Sequence, residues 1–258
     1  MQVKKITDFL LKSFPLKNQL AFDNAKLINH KNLKNKLTKV LICADYDRFN
    51  FNIVKKHNVN LIISHHPMFI DKNDLKTDNF IKQAYDDFFK NNRSFLALHT
   101  AYDFNQNGAH AYFFKLLDIK KYNNQPINHY YEFELNHQFD DLIKKLKTIP
   151  YIDQVKYLST SKYKKTLKKG LICLGSGYSS NQQDIDLFKN YDILITGDLK
   201  WSAWINAINH DINVIDIGHN VESIFIDHLN DLLKSHFNKQ LDDQKIILGH
   251  NQFKIINK

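Results

Sequence analysis

The sequence predicts an α/β fold of two linked lobes, each with a mostly parallel or mixed sheet flanked by helices. Three observations support this. Short apolar runs alternate with amphipathic segments, this alternation is interrupted from about residue 122 to residue 170, and it then resumes. Because parallel neighbours need a crossover connection, such alternation favours a parallel sheet. We place the lobes at residues 1–126 and 127–258, and the last strand is assignable to either lobe.

The first lobe is predicted to contain buried strands and the helices that connect them. The strands are expected at 38–44, 61–64 and 94–98. The helices are expected at 3–14, 50–57, 78–91 and 109–117, where apolar residues recur with helical spacing. Asp78 is suited to cap the helix at 78–91, and residues 21–28 are predicted to be a loop or a short extended segment.

The second lobe begins after a connector rich in Asn, Gln and Pro. Its strands are expected at 129–135, 155–158, 170–174, 192–196, 213–217 and 245–248, the first of them an antiparallel or edge strand. Its helices are expected at 139–146, 182–189, 201–209 and 222–234. The aromatic residues Tyr46, Tyr102 and Trp201 are expected to pack in the core, and lining of a cleft is the alternative.

Composition narrows the function classes. The 258 residues include 36 Lys and Arg against 27 Asp and Glu, a net charge of +9 that is compatible with a nucleic-acid partner. No zinc-finger, helix-turn-helix or RNP-type motif accompanies that charge, so it also fits a solvated, lysine-rich surface. No run of 18 apolar residues occurs, which argues against a membrane span. Cys43 and Cys173 lie in apolar runs, as expected of reduced thiols in the cytoplasm.

The segment at residues 61–70, LIISHHPMFI, carries the first candidate site. A buried strand leads into His65 and His66, and Pro67 cannot continue that strand. In open α/β sheets, sites form beyond the carboxyl ends of the strands, and neutral imidazole is a common metal ligand. Adjacent side chains on an extended backbone point to opposite sides, so we expect this pair to serve two ions, or one ion and a second role.

Further strand ends carry His and acidic residues. His99 and Asp103 follow the strand at 94–98, and His219 and Glu222 follow the strand at 213–217. His219 and Glu222 share a face of one helical turn and can bind one ion together, although helix capping is the alternative. Asp198 is another strand-end carboxylate, whereas Asp45 and Asp47 are expected to be solvated at a strand exit. Such exits converge in parallel α/β folds.

These motifs resemble the NIF-three-like family, also called GTP cyclohydrolase I type 2 homologues. The similar segments are LIISHHPMF, LHTAYD, DILITGDLK and VIDIGHNVE, with FDNAKLI near the N-terminus. The resemblance covers nearly the whole chain. It implies two α/β lobes with a dinuclear metal site in the cleft between them, and a homohexamer. The implied metal ligands are His65, His66, Asp103, His219 and Glu222.

That ligand set favours a metal-dependent hydrolase. Imidazoles and carboxylates suit two divalent ions per chain, either zinc, iron, manganese or cobalt. Two such ions would provide an acidified water and stabilise an oxyanion, with Glu222 as the bridging ligand. His99 is the candidate catalytic residue for proton transfer, or a structural histidine. A nucleotide-like substrate fits this chemistry. The alternative is a non-catalytic metal-binding or metal-handling scaffold that binds nucleic acid or a protein partner.

Overall fold

The computed structural model describes residues 1–69, 71, 73–160 and 165–249. Ile70, the last residue of the histidine-pair segment, and the end of the predicted second lobe lie outside the described residues. Contacts group the chain into two units. The first comprises the described residues within Met1–Asn105 and Phe225–Phe253, and the second those within Gln106–Ile224. This grouping assigns residues 106–126 to the second unit, whereas the predicted boundary assigns them to the first, so that boundary stays a prediction.

The elements alternate along the chain as an α/β fold requires. The strands are β1 Leu27–Ile28, β2 Val40–Cys43, β3 Leu61–Ser64, β4 Ser94–Ala97, β5 Tyr131–Gln138, β6 Lys156–Leu158, β7 Thr166–Ile172, β8 Ile193–Thr196, β9 Val214–Asp216 and β10 Ile246–Gly249. The helices are α1 Val3–Ser13, α2 Arg48–Lys56, α3 Asp74–Thr77, α4 Asn79–Lys90, α5 His99–Asp103, α6 Ala109–Leu116, α7 Phe139–Leu146, α8 Gln182–Phe188, α9 Trp201–Asn209 and α10 Ile224–Phe237.

In the first unit, the described strands form a five-stranded sheet in the order β1-β4-β3-β2-β10. Strands β10, β2, β3 and β4 are parallel, and only β1 runs antiparallel at the edge. Strand β10, which the sequence could assign to either lobe, therefore completes this sheet. Every residue of β2, β3 and β4 is buried, as continuous apolar runs predict for a sheet covered on both faces.

The helix α4 begins where its sequence provides a cap. Asp78 accepts hydrogen bonds from the backbone N–H groups of Phe80 and Ile81, so its predicted role as the cap of α4 is confirmed. A cluster of aromatic and aliphatic side chains packs on one side of the sheet, with Phe88 stacked on Phe95 at 5.4 Å between ring centroids. This packing fixes the strand ends from which the candidate residues extend.

In the second unit, the described strands form another five-stranded sheet, in the order β5-β7-β8-β9-β6. Strands β7, β8 and β9 are parallel, while β5 and β6 run antiparallel at the two edges. The prediction of an antiparallel edge strand near residue 130 is confirmed. Strand β7 begins four residues before its predicted start at residue 170, because Lys168 and Lys169 face solvent and interrupt the apolar pattern.

The two-sheet α/β architecture confirms the predicted fold class. The sequence missed the helix α5, because five residues are too few to show a helical period. It also predicted that His219 and Glu222 share the first turn of an α-helix, whereas His219–Ser223 forms a 3₁₀ turn that leads into α10.

Candidate metal centre

Three imidazoles meet at the carboxyl end of the first sheet. His65 and His66 follow β3, His99 follows β4, and one ring nitrogen of each lies within 4.8 Å of the other two. The His99 backbone N–H donates to the His65 carbonyl at 2.9 Å, which extends the strand pairing by one step. The expectation that His65 and His66 point to opposite sides was wrong. The backbone bends at both residues, and their ring centroids lie 4.6 Å apart.

His65 is the buried member of this histidine cluster. Its side chain is 1% exposed, and its ring packs against Phe225 and Tyr102, with centroid separations of 5.3 and 6.0 Å. A carboxylate oxygen of Asp103 lies 3.7 Å from its Nε2 atom. Asp103 ends the helix α5, which His99 begins, so one short helix presents both an imidazole and a carboxylate to the cluster.

Asp45 orients His66. The Nδ1 atom of His66 lies 2.8 Å from Asp45 Oδ1, at hydrogen-bond distance. The prediction that Asp45 and Asp47 are merely solvated was therefore wrong for both. Asp47 caps α2 by accepting a hydrogen bond from the Asn50 backbone N–H at 2.7 Å.

Asp23 orients His99, and the sequence did not single it out as a site residue. His99 Nδ1 lies 2.9 Å from Asp23 Oδ1, and the Asp23 side chain is fully buried. Burial opposes the charge on Asp23, but hydrogen bonds from His99, Thr100 and the Ala25 backbone hold its pKa well below the usual value. An ionised Asp23 can only accept, so His99 carries its proton on Nδ1. The signal was present in the FDN triplet of residues 22–24.

His99 also has a strained backbone, with a φ angle of +31°. Such angles are uncommon outside glycine and persist where surrounding contacts enforce them. Here the enforcing contacts are the pairing to His65 and the two hydrogen bonds that Thr100 donates to Asp23. The strain positions the ring of His99 beside those of His65 and His66.

The second sheet presents an acid–imidazole cluster at its carboxyl end. Asp198 follows β8, and its Oδ2 atom lies 2.9 Å from His219 Nδ1. The Nε2 atom of His219 lies 2.9 Å from Glu222 Oε2. Asp198 has a φ angle of +53°, so this cluster too includes a strained strand-exit residue. Gly218, whose φ is +74°, makes a tight turn directly before His219.

The loop after β7 contacts this cluster through Gly175. A Cβ atom on that residue would lie 1.9 Å from Glu222 Oε1, so only glycine allows the carboxylate to reach its position. Gly175 also has a φ angle of +71°, which disfavours any other residue. The exits of β7, β8 and β9 thus build the second cluster together.

The core packing predicted for three aromatic residues is confirmed for two of them and wrong for the third. Tyr46 and Tyr102 are buried, as core packing predicts, and the Tyr102 hydroxyl lies 2.8 Å from His228 Nδ1 on α10. Trp201 is 79% exposed at the start of α9, so its predicted place in the core was wrong. Burial of Cys43 and Cys173 is confirmed, and the described part of the chain contains no disulfide. Among the described residues, no helix is long and apolar enough to span a bilayer.

A profile of the family described as Duf34/NIF3 (NGG1p interacting factor 3) matches residues 1–251. The chain belongs to the Duf34/NIF3 family. A relative from Ureaplasma parvum named "GTP cyclohydrolase 1 type 2 homolog" is 34% identical over 248 residues, covering 90% of each chain. A Campylobacter jejuni relative of the same name is 27% identical and covers 85% of this chain and 86% of its own.

Solved structures agree in fold. A Staphylococcus aureus hypothetical protein superposes with a TM-score of 0.78 at 21% identity and covers 99% of both chains. Reduced HcgD from Methanocaldococcus jannaschii superposes with a TM-score of 0.79 at 22% identity, covering 96% of this chain and 97% of its own. At these identities the likeness supports the two-sheet α/β fold alone.

The histidines of this Duf34/NIF3 chain share a feature typical of metal ligands. In three of them, Nδ1 lies within 2.9 Å of a carboxylate oxygen, in the pairs His66–Asp45, His99–Asp23 and His219–Asp198. In His66 and His99, the carboxylate beside Nδ1 fixes the tautomer and makes Nε2 the basic atom, as in metal-bound histidines. His219 instead has a carboxylate beside each ring nitrogen. The donor set of imidazoles and carboxylates therefore fits a transition-metal ion in chemistry.

Proposed function

We propose that this protein holds two divalent metal ions and uses them to hydrolyse a nucleotide-like substrate. The proposed ligands are His65, His66, Asp103, His219 and Glu222, and Glu222 would be a ligand of both ions. The supporting observation is the histidine cluster of the first sheet, where three ring nitrogens lie within 4.8 Å of one another. The proposed metals are zinc, iron, manganese or cobalt, because mixed nitrogen and oxygen ligands disfavour calcium and magnesium.

When bound, two such ions supply an acidified water and stabilise the charge that develops on the attacked group. The chain's own residues then position and move the proton. We assign proton transfer to His99. Because Asp23 fixes the proton on Nδ1, Nε2 accepts a proton as water attacks and returns it to the leaving group.

Asp23 is well suited to support that role. Its buried carboxylate is held by His99, Thr100 and the Ala25 backbone, so it stays ionised and keeps one tautomer of His99. The arrangement resembles a carboxylate–imidazole pair that stabilises the protonated ring during proton transfer. Asp23 is a positioning residue in this proposal, because it acts through His99.

The test is hydrolysis of a nucleotide panel by the metal-loaded protein. We expect turnover by the wild type, a loss of at least about 100-fold in His66→Ala, and wild-type turnover in His57→Ala. His57 is an exposed histidine at the end of α2, outside the cluster, so it controls for loss of an imidazole.

A different outcome of this test would favour the non-catalytic alternative. If the loaded wild type binds metal in stoichiometric amounts but turns over no nucleotide, the hydrolase proposal fails. The metal-handling scaffold then replaces it, with a protein or nucleic-acid partner attracted by the net charge of +9.

We further propose that the chain acts as a homo-oligomer, a hexamer as its family resemblance implies. Trp201, Ile205 and Ile208 form an exposed apolar stripe along α9, with exposures of 79, 40 and 51%. Helix α9 has no charged residue, so a second copy of the same surface can pack on it without burying an unpaired charge. We expect Ile208→Lys to reduce the sedimentation coefficient if this stripe forms a subunit interface.

We also place the protein in the cytoplasm, because Cys43 and Cys173 are both buried and no disulfide occurs in the described residues.

A further inference from the structure

A polar pocket lies beside the acid–imidazole cluster in the second unit. Its volume is about 380 Å³, within the range of small-molecule sites. The loop after β7, the turn after β8 and the start of α9 form its walls. The lining includes Ser176, Tyr178, Ser180, Asp198, Lys200, Ser202 and Asn206. Asp198 belongs both to this pocket and to the cluster, where it contacts His219 at 2.9 Å.

The pocket lies where parallel sheets bind ligands. Strands β7 and β8 are parallel neighbours, and the loops that follow their carboxyl ends form two of the walls. Ligands of open α/β sheets bind in the crevice beyond such strand ends. A ligand in this pocket would therefore contact a residue that also touches the proposed metal ligand His219.

The lining groups suit a phosphate. Lys200 supplies a positive charge, and Ser176, Ser180 and Ser202 supply hydroxyl donors. Within the described part of the chain, none of these four side chains has an ion pair or hydrogen bond to the protein, so all four can serve a ligand. Charge-assisted hydrogen bonds from ammonium and hydroxyl groups to phosphate oxygens are among the stronger polar contacts in proteins.

The remaining lining groups suit a sugar. Tyr178 donates to Asn206 Oδ1 at 2.8 Å, and burial raises the pKa of Tyr178 to about 12, so its hydroxyl keeps its proton at neutral pH. The Asn206 amide and the Asp198 carboxylate can pair with ligand hydroxyl groups. A carboxylate on the wall would repel a ligand that presented only negative charge, so hydroxyl groups must accompany the phosphate.

We propose that this pocket binds the ribose phosphate portion of the substrate, with the phosphate at Lys200 and the three serines and the sugar hydroxyls at Asp198 and Asn206. The inference rests on the proposed function, since it names the substrate class of the same site as a nucleoside phosphate.

Binding of guanosine 5′-monophosphate and of guanosine to the full chain tests this assignment by calorimetry. We expect the wild type to bind the nucleotide at least about tenfold more tightly than the nucleoside. Lys200→Ala should abolish that preference, and Lys200→Arg should keep most of it. Lys147→Ala removes an exposed lysine of the same unit that does not line the pocket, and it should leave the preference intact.

Metal content measured on the same samples separates the two proposals. If metal is absent but the preference depends on Lys200, the pocket assignment stands and the dinuclear centre fails. If metal is bound but the wild type shows no preference, the pocket assignment is overturned and the metal proposal stands. An equal loss of preference in Lys147→Ala and Lys200→Ala would also overturn it, because net charge alone would then explain the binding.

Discussion

The two sheets carry similar clusters of site residues, but the side chains of the two clusters differ in solvent exposure. Each places histidines and acidic residues at the carboxyl ends of parallel strands, and each holds one of them in a strained conformation, His99 and Asp198. In the first unit the side chains of His65 and Asp23 are 1 and 0% exposed, whereas in the second His219 and Asp198 are 41 and 56% exposed.

That difference suggests a division of roles. A buried imidazole that is held by aromatic rings, as His65 is, makes a rigid ligand, since its orientation is fixed before any ion binds. An exposed imidazole beside an open polar pocket is placed to meet substrate. The histidine cluster of the first unit would then act as a preformed set of ligands, and the acid–imidazole cluster of the second unit would be the one open to a ligand.

The largest difference in the free energy of unfolding is expected between His65→Ala and His219→Ala. Both should lose bound metal. In metal-free protein, His65→Ala should lower the free energy of unfolding by about 2–4 kcal/mol, because it leaves a cavity beside Phe225 and Tyr102. His219→Ala should lower it by less than about 0.5 kcal/mol. Urea unfolding measures both, and equal losses would contradict the proposed division of roles.

Substitution of the acidic partner should likewise cost more stability in the first unit than in the second. Asp23→Asn should cost about 2 kcal/mol, because a buried amide cannot replace the carboxylate that accepts from His99 and Thr100. Asp198→Asn should change stability by about 0.5 kcal/mol or less, since Asp198 is exposed. The comparison again requires metal-free protein, because bound metal would add its own stabilisation. An Asp23→Asn variant as stable as the wild type would show that this carboxylate is not structurally important.

Gly175→Ala tests the loop that supports Glu222. The added methyl group meets Glu222 Oε1, and the φ of +71° strains any side chain. We expect a loss of about 1–2 kcal/mol in stability together with weaker metal binding. Ser176→Ala changes the next residue without either effect, so its metal affinity should match the wild type. Normal metal binding in Gly175→Ala would mean that Glu222 is not held by this loop.

The smallest expected difference between the two units is in the reactivity of their buried thiols. Burial in the first sheet raises the pKa of Cys43 well above its usual value, which keeps the unreactive protonated form at pH 8. Cys173 is 8% exposed against 0% for Cys43. In single-cysteine variants, Ellman's reagent should therefore label Cys173 before Cys43. The same order in urea-unfolded protein would show that burial is not the cause.

Much of the fold was predictable because buried strands of parallel sheets are continuous apolar runs. Strands β2, β3 and β8 follow this rule, and their exits could be located to within one or two residues. The start of β7 was missed where lysines face solvent, and α5 was missed because it is shorter than two helical turns. Local pattern is a weak guide in both situations.

The candidate site was only half predictable. The histidines and Asp198 could be identified as unusual residues at strand ends, but the roles of Asp23 and Asp45 could not. Asp23 and His99 are far apart in the sequence but in contact in the structure, and Asp45 contacts His66 from the end of the neighbouring strand. Such pairs form through tertiary contacts, which sequence spacing does not encode. The bend that brings His65 and His66 together is likewise a product of the folded backbone.

The most direct test of the account is a count of metal ions per chain by elemental analysis, in the wild type and in Glu222→Ala. We expect two ions in the wild type and the loss of both in the variant, because Glu222 is proposed to bridge them. Retention of one ion at normal affinity in Glu222→Ala would contradict the bridge, and a wild-type chain that binds no transition metal would contradict the dinuclear centre itself.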